Sequence, residues 1–540
     1  MIIHDTNGLG KVEVSTVQLP EFAKSPSATY TFSGSVLVFY QQDDDPLDKD
    51  YYHIAVANDE SCEFREIFSG VISQRKKANG IRHMPFADNK RVLLGDYVLE
   101  CDPDIDNCQQ AVLVPVKYPW LLPLDPRVYK HWSEIIIAPD NKHICWTMLR
   151  TDTGTANCLG VLKRKSDHYS IEETQVISSQ KNFKRDKANQ GYIFPQVIRG
   201  GEVKQFVRGG SAISLVGGKD GYLADSVVQD LLSEDITQIT HTPGYDETTI
   251  FSPDEKLGIV MSPRGSKRTN LEIIGLLPRP HGWLATTIMT MYAYMYSVAG
   301  VRSFRKGNIG PVLIDIERSM HEPGYQGLQF HDPEENWVYV SPMSWHPDGK
   351  RAIWMETLRG SGKIGEGAVG NREKAQLRIQ KVTLHDYQPK ETVPTQMTPN
   401  EISYGVKGFR GAMSLWLAKR EIKAGKIAGK HSGYVEYQRK GQSLGGTNEL
   451  KYVSYSDDGK TFFDGIEKVS TSFRKGCRYE ANVQMTGVRL GDMKLRLAFS
   501  PMSFTKLPKL LFELTDDGHP QSYGYVCYNG VQMNVEDLSE

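Results

Sequence analysis

TIFSPDEKLGIVMS, Thr249 to Ser262, reads as a β-run, an acidic turn and a second β-run. Pro253 presets φ for the turn, Asp254 caps it through the backbone, and the position before Lys256 is one that Gly or Asn fills when φ turns positive. The segment is therefore a hairpin. The same order of residues returns in PFADNKRVLLGD (turn Asp88 to Lys90), IIIAPDNKHICWTM (Asp140 to Lys142), SWHPDGKRAIWMET (Asp348 to Lys350) and SYSDDGKTFFDGIE (Asp458 to Lys460). Successive turn aspartates stand 52, 114, 94 and 110 residues apart. A four-stranded repeat unit takes roughly 40 to 50 residues, so each larger gap predicts two units, one with a degenerate turn. Repeats of this kind predict an all-β chain in which each unit packs on its neighbours, which lets 540 residues fold without one oversized core.

Working outward, ITQITHTPGYDETTIFSPDEKLGIVMSPRGSKRTNLEII (Ile236 to Ile274) resembles one blade of the TolB-like, WD40-like propellers built from PD40 repeats. Blades of that family read SPDGK, an apolar strand, then S-x-R, and Arg150, Arg264 and Arg359 hold the arginine position here. The resemblance covers about residues 27 to 395 and implies a β-propeller of six or seven blades, preceded by an N-terminal arm of residues 1–26. From 396 to 540 the texture changes. A basic stretch, GFRGAMSLWLAKREIKAGKIAGK, gives way to strand-like runs such as GYVEYQRKG and MKLRLAFSPM between Gly and Asp turns. This β-rich region suits a sandwich-like module, an insertion, or blades that close the ring.

Lys plus Arg number 64 against 65 Asp plus Glu, a formal charge of -1, so no global field attracts nucleic acid or an anionic membrane. The local basic runs, Arg75 to Lys77 and Lys419 to Lys430, read as solvated loops or a helix face. Seven scattered cysteines without a C-x-x-C pair, behind a start (MIIHDTNGLG) that lacks a basic-then-apolar leader, predict reduced thiols and a cytoplasmic protein. The uncharged stretch GWLATTIMTMYAYMYSVAG (Gly282 to Gly300) sets Met291, Ala293 and Met295 against Tyr292, Tyr294 and Tyr296. That period of two predicts a strand buried on both faces instead of a membrane-spanning helix.

A second repeat carries the chemistry: His241-Thr242-Pro243-Gly244-Tyr245-Asp246 and His321-Glu322-Pro323-Gly324-Tyr325-Gln326 share H-x-P-G-Y. In a propeller, the loop leading into each blade's innermost strand approaches the central channel, so two such motifs are expected to aim two imidazoles at one place. His83, His131 and Glu134 occupy comparable positions, and Glu247 follows the first motif. Histidine and carboxylate together suit acid-base work near neutrality. The catalytic set is accordingly read as His241, His321, Asp246, Glu247, Glu134, Tyr245 and Tyr325, with Arg82, His83, His131, Tyr292 and Tyr294 binding substrate. A resemblance to oligogalacturonate lyases, which hold a metal through histidines and a glutamine in the channel, implies a divalent metal ion on His241, His321 and Gln326.

Gly360 to Gly365 matches G-x-G-x-x-G without the βαβ unit that a dinucleotide site needs. With no covalent nucleophile in view, the expected function is a lyase- or hydratase-type enzyme. It would act on a small polar or carbohydrate-like molecule, binding neither nucleic acid nor membrane. A non-catalytic propeller scaffold for protein partners and a carbohydrate-binding protein are the alternatives from other classes.

Overall fold

The computed structural model describes residues 1–5, 8–46, 50–61, 63–73, 83–119, 128–129, 134–150, 154–178, 183–196, 200–218, 221–264, 266, 271–307, 309–332, 335–361, 376–407, 422–441, 445–472, 474–503 and 506–538. Strands dominate them, and six antiparallel units of four strands follow one another along the chain, three as separate sheets, two within one ten-stranded sheet and the last within a five-stranded sheet that Ile2–Asp5 extends. The first comprises Lys24–Tyr30, Val36–Gln41, Tyr51–Ala57 and Phe64–Val71, and the second Met84–Pro85, Arg91–Leu93, Tyr97–Asp102 and Gln110–Lys117. The third runs Ile135–Ile137, His143–Arg150, Gly154–Arg164, Tyr169–Val176, and the fourth Glu202–Val207, Ala212–Gly217, Asp225–Asp230, Ile236–Gln238. Thr249–Phe251, Leu257–Ser262, Gly310–Asp315 and Leu328–Gln329 form the fifth. The sixth joins Trp337–Trp345, Arg351–Leu358 and Leu377–Leu384 to a strand from the other end of the chain, Gly10–Thr16.

First strands of neighbouring sheets pack together from the third sheet through to the sixth, then from the sixth back to the first and on to the second. The second and third sheets are joined by a parallel pairing of Val116 and Lys117 with Tyr169 and Ser170. The order of contacts is thus cyclic, and the hydrogen-bonded strand Gly10–Thr16 closes it.

The acidic turn works as its residues require. In each copy the aspartate Oδ1 accepts the amide of the lysine two residues on, at 2.9 Å for Lys90 and Lys142, 3.1 Å for Lys256 and 2.8 Å for Lys350 and Lys460. The residue between them has φ of 55° to 68° in every case: Asn89, Asn141, Glu255, Gly349 and Gly459. Four copies join the first and second strands of the second, third, fifth and sixth sheets, and the fourth sheet, with Arg208-Gly209-Gly210 at its turn, is the degenerate unit expected between Asp140 and Asp254. No unit hides between Asp254 and Asp348, because Leu257–Ser262 pairs directly with Gly310–Asp315 and the intervening residues are an insertion.

That insertion corrects the reading of Gly282 to Gly300. The stretch is not a strand but an unbroken helical run, Trp283–Thr286, Thr287–Met289, Thr290–Tyr294, Met295–Ala299 and Gly300–Ser303, passing through α, 3₁₀ and π turns. Leu284, Ala285, Ile288, Met289, Tyr292, Ala293, Met295, Tyr296 and Val298 are all buried. Its less buried positions, Trp283, Thr287, Thr290, Met291 and Tyr294, share one helical face but are as uncharged as the buried ones, so polarity carries no 3.6-residue signal and the Met and Tyr alternation mimics a strand. Among the described residues no helix is long and apolar enough to cross a membrane.

The last of the five hairpins lies in a different structure. Eight strands, from Ala424–Ala428 to Val531–Asn534, pair strictly in sequence in one antiparallel sheet, neither a two-sheet sandwich nor further four-stranded units. Its inner face shares one apolar core with the helical run: Tyr292 and Tyr296 pack on Phe499, Tyr292 donates to Ser472 O at 2.9 Å, and Asn448 donates to Leu284 O at 2.7 Å. The six described cysteines are free, five of them buried.

Candidate active site

Three carboxylates enter the ring at the same place in three successive sheets. Glu134 immediately precedes the first strand of the third sheet, Glu202 begins that of the fourth, and Glu247 lies two residues before that of the fifth. They meet at Lys204, whose Nζ is 2.9 Å from Glu134 Oε2, 3.1 Å from Glu202 Oε2 and 3.8 Å from Glu247 Oε1. The ladder shifts register between Val203 and Gln205, so Lys204 is the bulged residue of its strand. Bulges re-aim side chains in this way beside functional sites.

The cluster is buried but not sealed. Only 3% of the Lys204 side chain and 9% of Glu247 are exposed, against 16% of Glu134 and 23% of Glu202, which leaves one edge reachable by solvent. Burial works against the charge on Lys204, but Glu134, Glu202 and Glu247 outweigh it and hold the ammonium charged. Glu247 is pushed up to about 7, first by burial and then by Glu202 and Glu134, with Lys204 and Arg302 opposing. Tyr245 donates to Glu247 Oε2 at 3.4 Å, and its ring lies 6.5 Å from that of Tyr294 on the helical run. Burial, then Glu247, raises both phenols well above their ordinary value. Arg302, buried, is fixed by donation from Nε to Tyr339 O at 2.9 Å.

Of the expected site residues, the structure brings Glu134, Glu247, Tyr245 and Tyr294 together. Asp246, adjacent to Glu247 in sequence, points elsewhere: it accepts from Arg264 Nη2 at 2.6 Å and Ser262 Oγ at 2.5 Å, wholly buried. Arg264 also donates to Gln326 O at 3.2 Å, so the arginine of the repeat clamps the two H-x-P-G-Y loops. Nearby Asp225 is pushed well up by burial and by Asp246. Tyr292 faces the C-terminal sheet through Ser472.

The histidines do not converge as expected. The first H-x-P-G-Y leads into the first strand of the fifth sheet, but the second lies between that sheet's third and fourth strands, after the short helix Ile316–His321. One motif therefore sits at the approach to an innermost strand and the other at the outer edge. His241 is exposed in its loop, and His321 is exposed with Nε2 3.3 Å from Glu317 Oε1. Tyr325 accepts the Asp315 amide at 3.0 Å and lies under Arg318, while the exposed Gln326 side chain donates to Gly324 O at 3.2 Å. His83 is buried, with Ser27 Oγ 3.0 Å from Nε2 and Thr29 Oγ1 3.1 Å from Nδ1. It joins the first and second sheets. Arg82 and His131 lie outside the described residues. The implied metal ligands fail the fit as well: no three His, Cys, Asp or Glu side chains among the described residues are grouped as a metal ion requires.

Lys204, Glu202 and Arg302 escaped the sequence reading. For the first two a signal existed: in EVKQFV, two charges share one face of a strand inside an apolar run, a pattern that a two-sided core excludes.

No family model matches the chain, and no curated protein does. Solved structures similar to it are propeller proteins. TolB from Acinetobacter baumannii is 10% identical, with 65% of this chain and 64% of that one covered and a TM-score of 0.31. An oligogalacturonate lyase in complex with manganese is 8% identical over 71% and 95% of the two chains, at a TM-score of 0.30. The α-L-arabinanase of Penicillium chrysogenum complexed with arabinobiose is 10% identical over 69% and 99%, at 0.32. No residue role passes to this chain from proteins so distant.

Proposed function

We propose that the six sheets are the blades of a six-bladed TolB-like propeller spanning about residues 10 to 384, so that most of the expected N-terminal arm belongs to the ring, and that the chain is an enzyme whose acid-base centre is the cluster around Lys204. The observation that carries this reading is a buried ammonium shared by carboxylates from three successive sheets, one of which, Glu247, is held near neutrality. A group ionising near the working pH takes and returns protons most effectively. Two cations, Lys204 and Arg302, face three carboxylates, so the site disfavours an anionic substrate and suits a neutral, polyhydroxylated one.

Dehydration of such a molecule, and its reverse, needs only these groups. The Glu247 carboxylate takes a proton from carbon, the C–H electron pair becomes the new C=C bond, and hydroxide leaves from the neighbouring carbon. Glu247, now protonated, gives its proton to that oxygen, and water departs. Lys204 and Arg302 stabilise the negative charge that develops. Incubating the protein with a panel of neutral aldoses, aldonolactones and oligosaccharides, and following loss of water by mass spectrometry, tests this. Turnover that Glu247→Gln and Lys204→Met abolish, with a pH dependence centred near 7, is expected. Turnover unchanged in both variants overturns it.

A further inference from the structure

A cleft of about 390 Å³ lies between the start of the helical run and the C-terminal sheet. This volume falls within the range of small-molecule sites. Pro278, Pro280 and Trp283 from the insertion, Tyr222 from the fourth sheet's connection, and Phe463 and Met485 from the C-terminal sheet make its walls. Its floor is closed chemistry. Arg279 and Glu467, both fully buried, pair at 3.2 Å; Tyr452 and Tyr479 donate to the carboxylate at 2.5 and 2.9 Å, and the guanidinium carbon stands 4.5 Å from the Tyr222 ring centre. A network so completely satisfied is rigid and has no need of a ligand.

The rim differs. His281 holds a φ of 59°, and its Nε2 is 3.1 Å from the Tyr455 hydroxyl, which in turn donates to Asp457 Oδ1 at 2.9 Å. Asp458, whose Oδ1 accepts the Lys460 and Thr461 amides, stands beside it, and the exposed Arg489 completes the lining. Flat aromatic and prolyl walls, with donors and acceptors along one edge, ask for a ligand having an apolar face and a hydroxylated rim. The charges select further: an anion would meet two carboxylates against a single arginine. We infer that this cleft is a second ligand site, distinct from the Lys204 cluster, which binds a neutral sugar ring with Trp283 against its C–H face and Asp457, Asp458 and Arg489 at its hydroxyls.

Isothermal titration of the full chain with cellotriose, xylotriose and arabinotriose tests it, with trigalacturonate and tryptamine as the anionic and cationic arms. At least one neutral trisaccharide is expected to bind, and Trp283→Ala and Arg489→Ala should each weaken it by about tenfold. Glu247→Gln should leave that affinity unchanged, which separates this site from the ring. Arg489 is on the surface, so its variant stays informative if Trp283→Ala melts early. Any of three results overturns the inference: no neutral trisaccharide binds at millimolar concentration, trigalacturonate or tryptamine binds more tightly, or affinity survives both cleft variants.

Discussion

The ring and the C-terminal sheet are built from the same hairpin and use it in opposite ways. In the ring the inner strands are covered on both faces, so Leu257–Ser262 is buried at every position. In the C-terminal sheet one face meets the helical run and the other meets water, and Gly476–Gly487 alternates buried and exposed. Their polar centres differ in the same sense. Arg279 and Glu467 are sealed, with tyrosines filling out the network, while the carboxylates around Lys204 keep an open edge. A sealed pair fixes two parts of a fold together; an open one can also meet a substrate.

The largest way to break that contrast is Arg279→Met. It strands Glu467 without its cation and should cost about 3–5 kcal/mol in urea denaturation, with the C-terminal sheet lost first. Replacing Glu467 by leucine in the same chain should restore most of the loss. Lys204→Met comes next: three carboxylates lose their common partner, and a cost of about 3 kcal/mol is expected together with loss of turnover. The solvent-open edge of that cluster should keep its figure below that of Arg279.

Glu247→Gln sharpens the comparison through pH. Because the folded state holds this proton more tightly than the unfolded chain, the stability it contributes is complete below its ordinary value of 4.5 and is lost as pH rises through about 7. The variant, neutral throughout, should flatten that fall in a series of urea midpoints between those two pH values. Smallest is the turn shared by both regions. Gly349→Ala, at a φ of 68°, should cost about 1 kcal/mol. Gly459→Ala should cost more, since its added carbon would lie 2.7 Å from the His431 ring.

The hairpins were legible because an Asp that caps a turn and an Asn or Gly at positive φ are local requirements, met again in the hydrogen bonds of all five turns. Glu134, Glu247 and Tyr245 were legible for a related reason, since the loop into a first strand has one place to go. His321 was not, because H-x-P-G-Y describes a loop and says nothing of which strands the loop joins. Tyr294 was named but on the wrong element: a helix whose outer face carries Trp, Thr, Met and Tyr in place of charges leaves no amphipathic trace. The two charges of EVKQFV mark Lys204 as unusual, but its aim at the carboxylates comes from the bulge, which depends on pairing with Ala212–Gly217.

The strand that closes the ring has a consequence in time. Thr16 meets Gln380 across 364 positions of chain. At about 5–20 residues per second of synthesis, Gly10–Thr16 waits roughly 20 to 70 s for its partner to emerge. During that interval Val12 and Val14, buried in the finished sheet, face water on an unpaired edge. Lys11 and Glu13, alternating with them, place charges along that edge, the feature that discourages pairing with a neighbouring nascent chain.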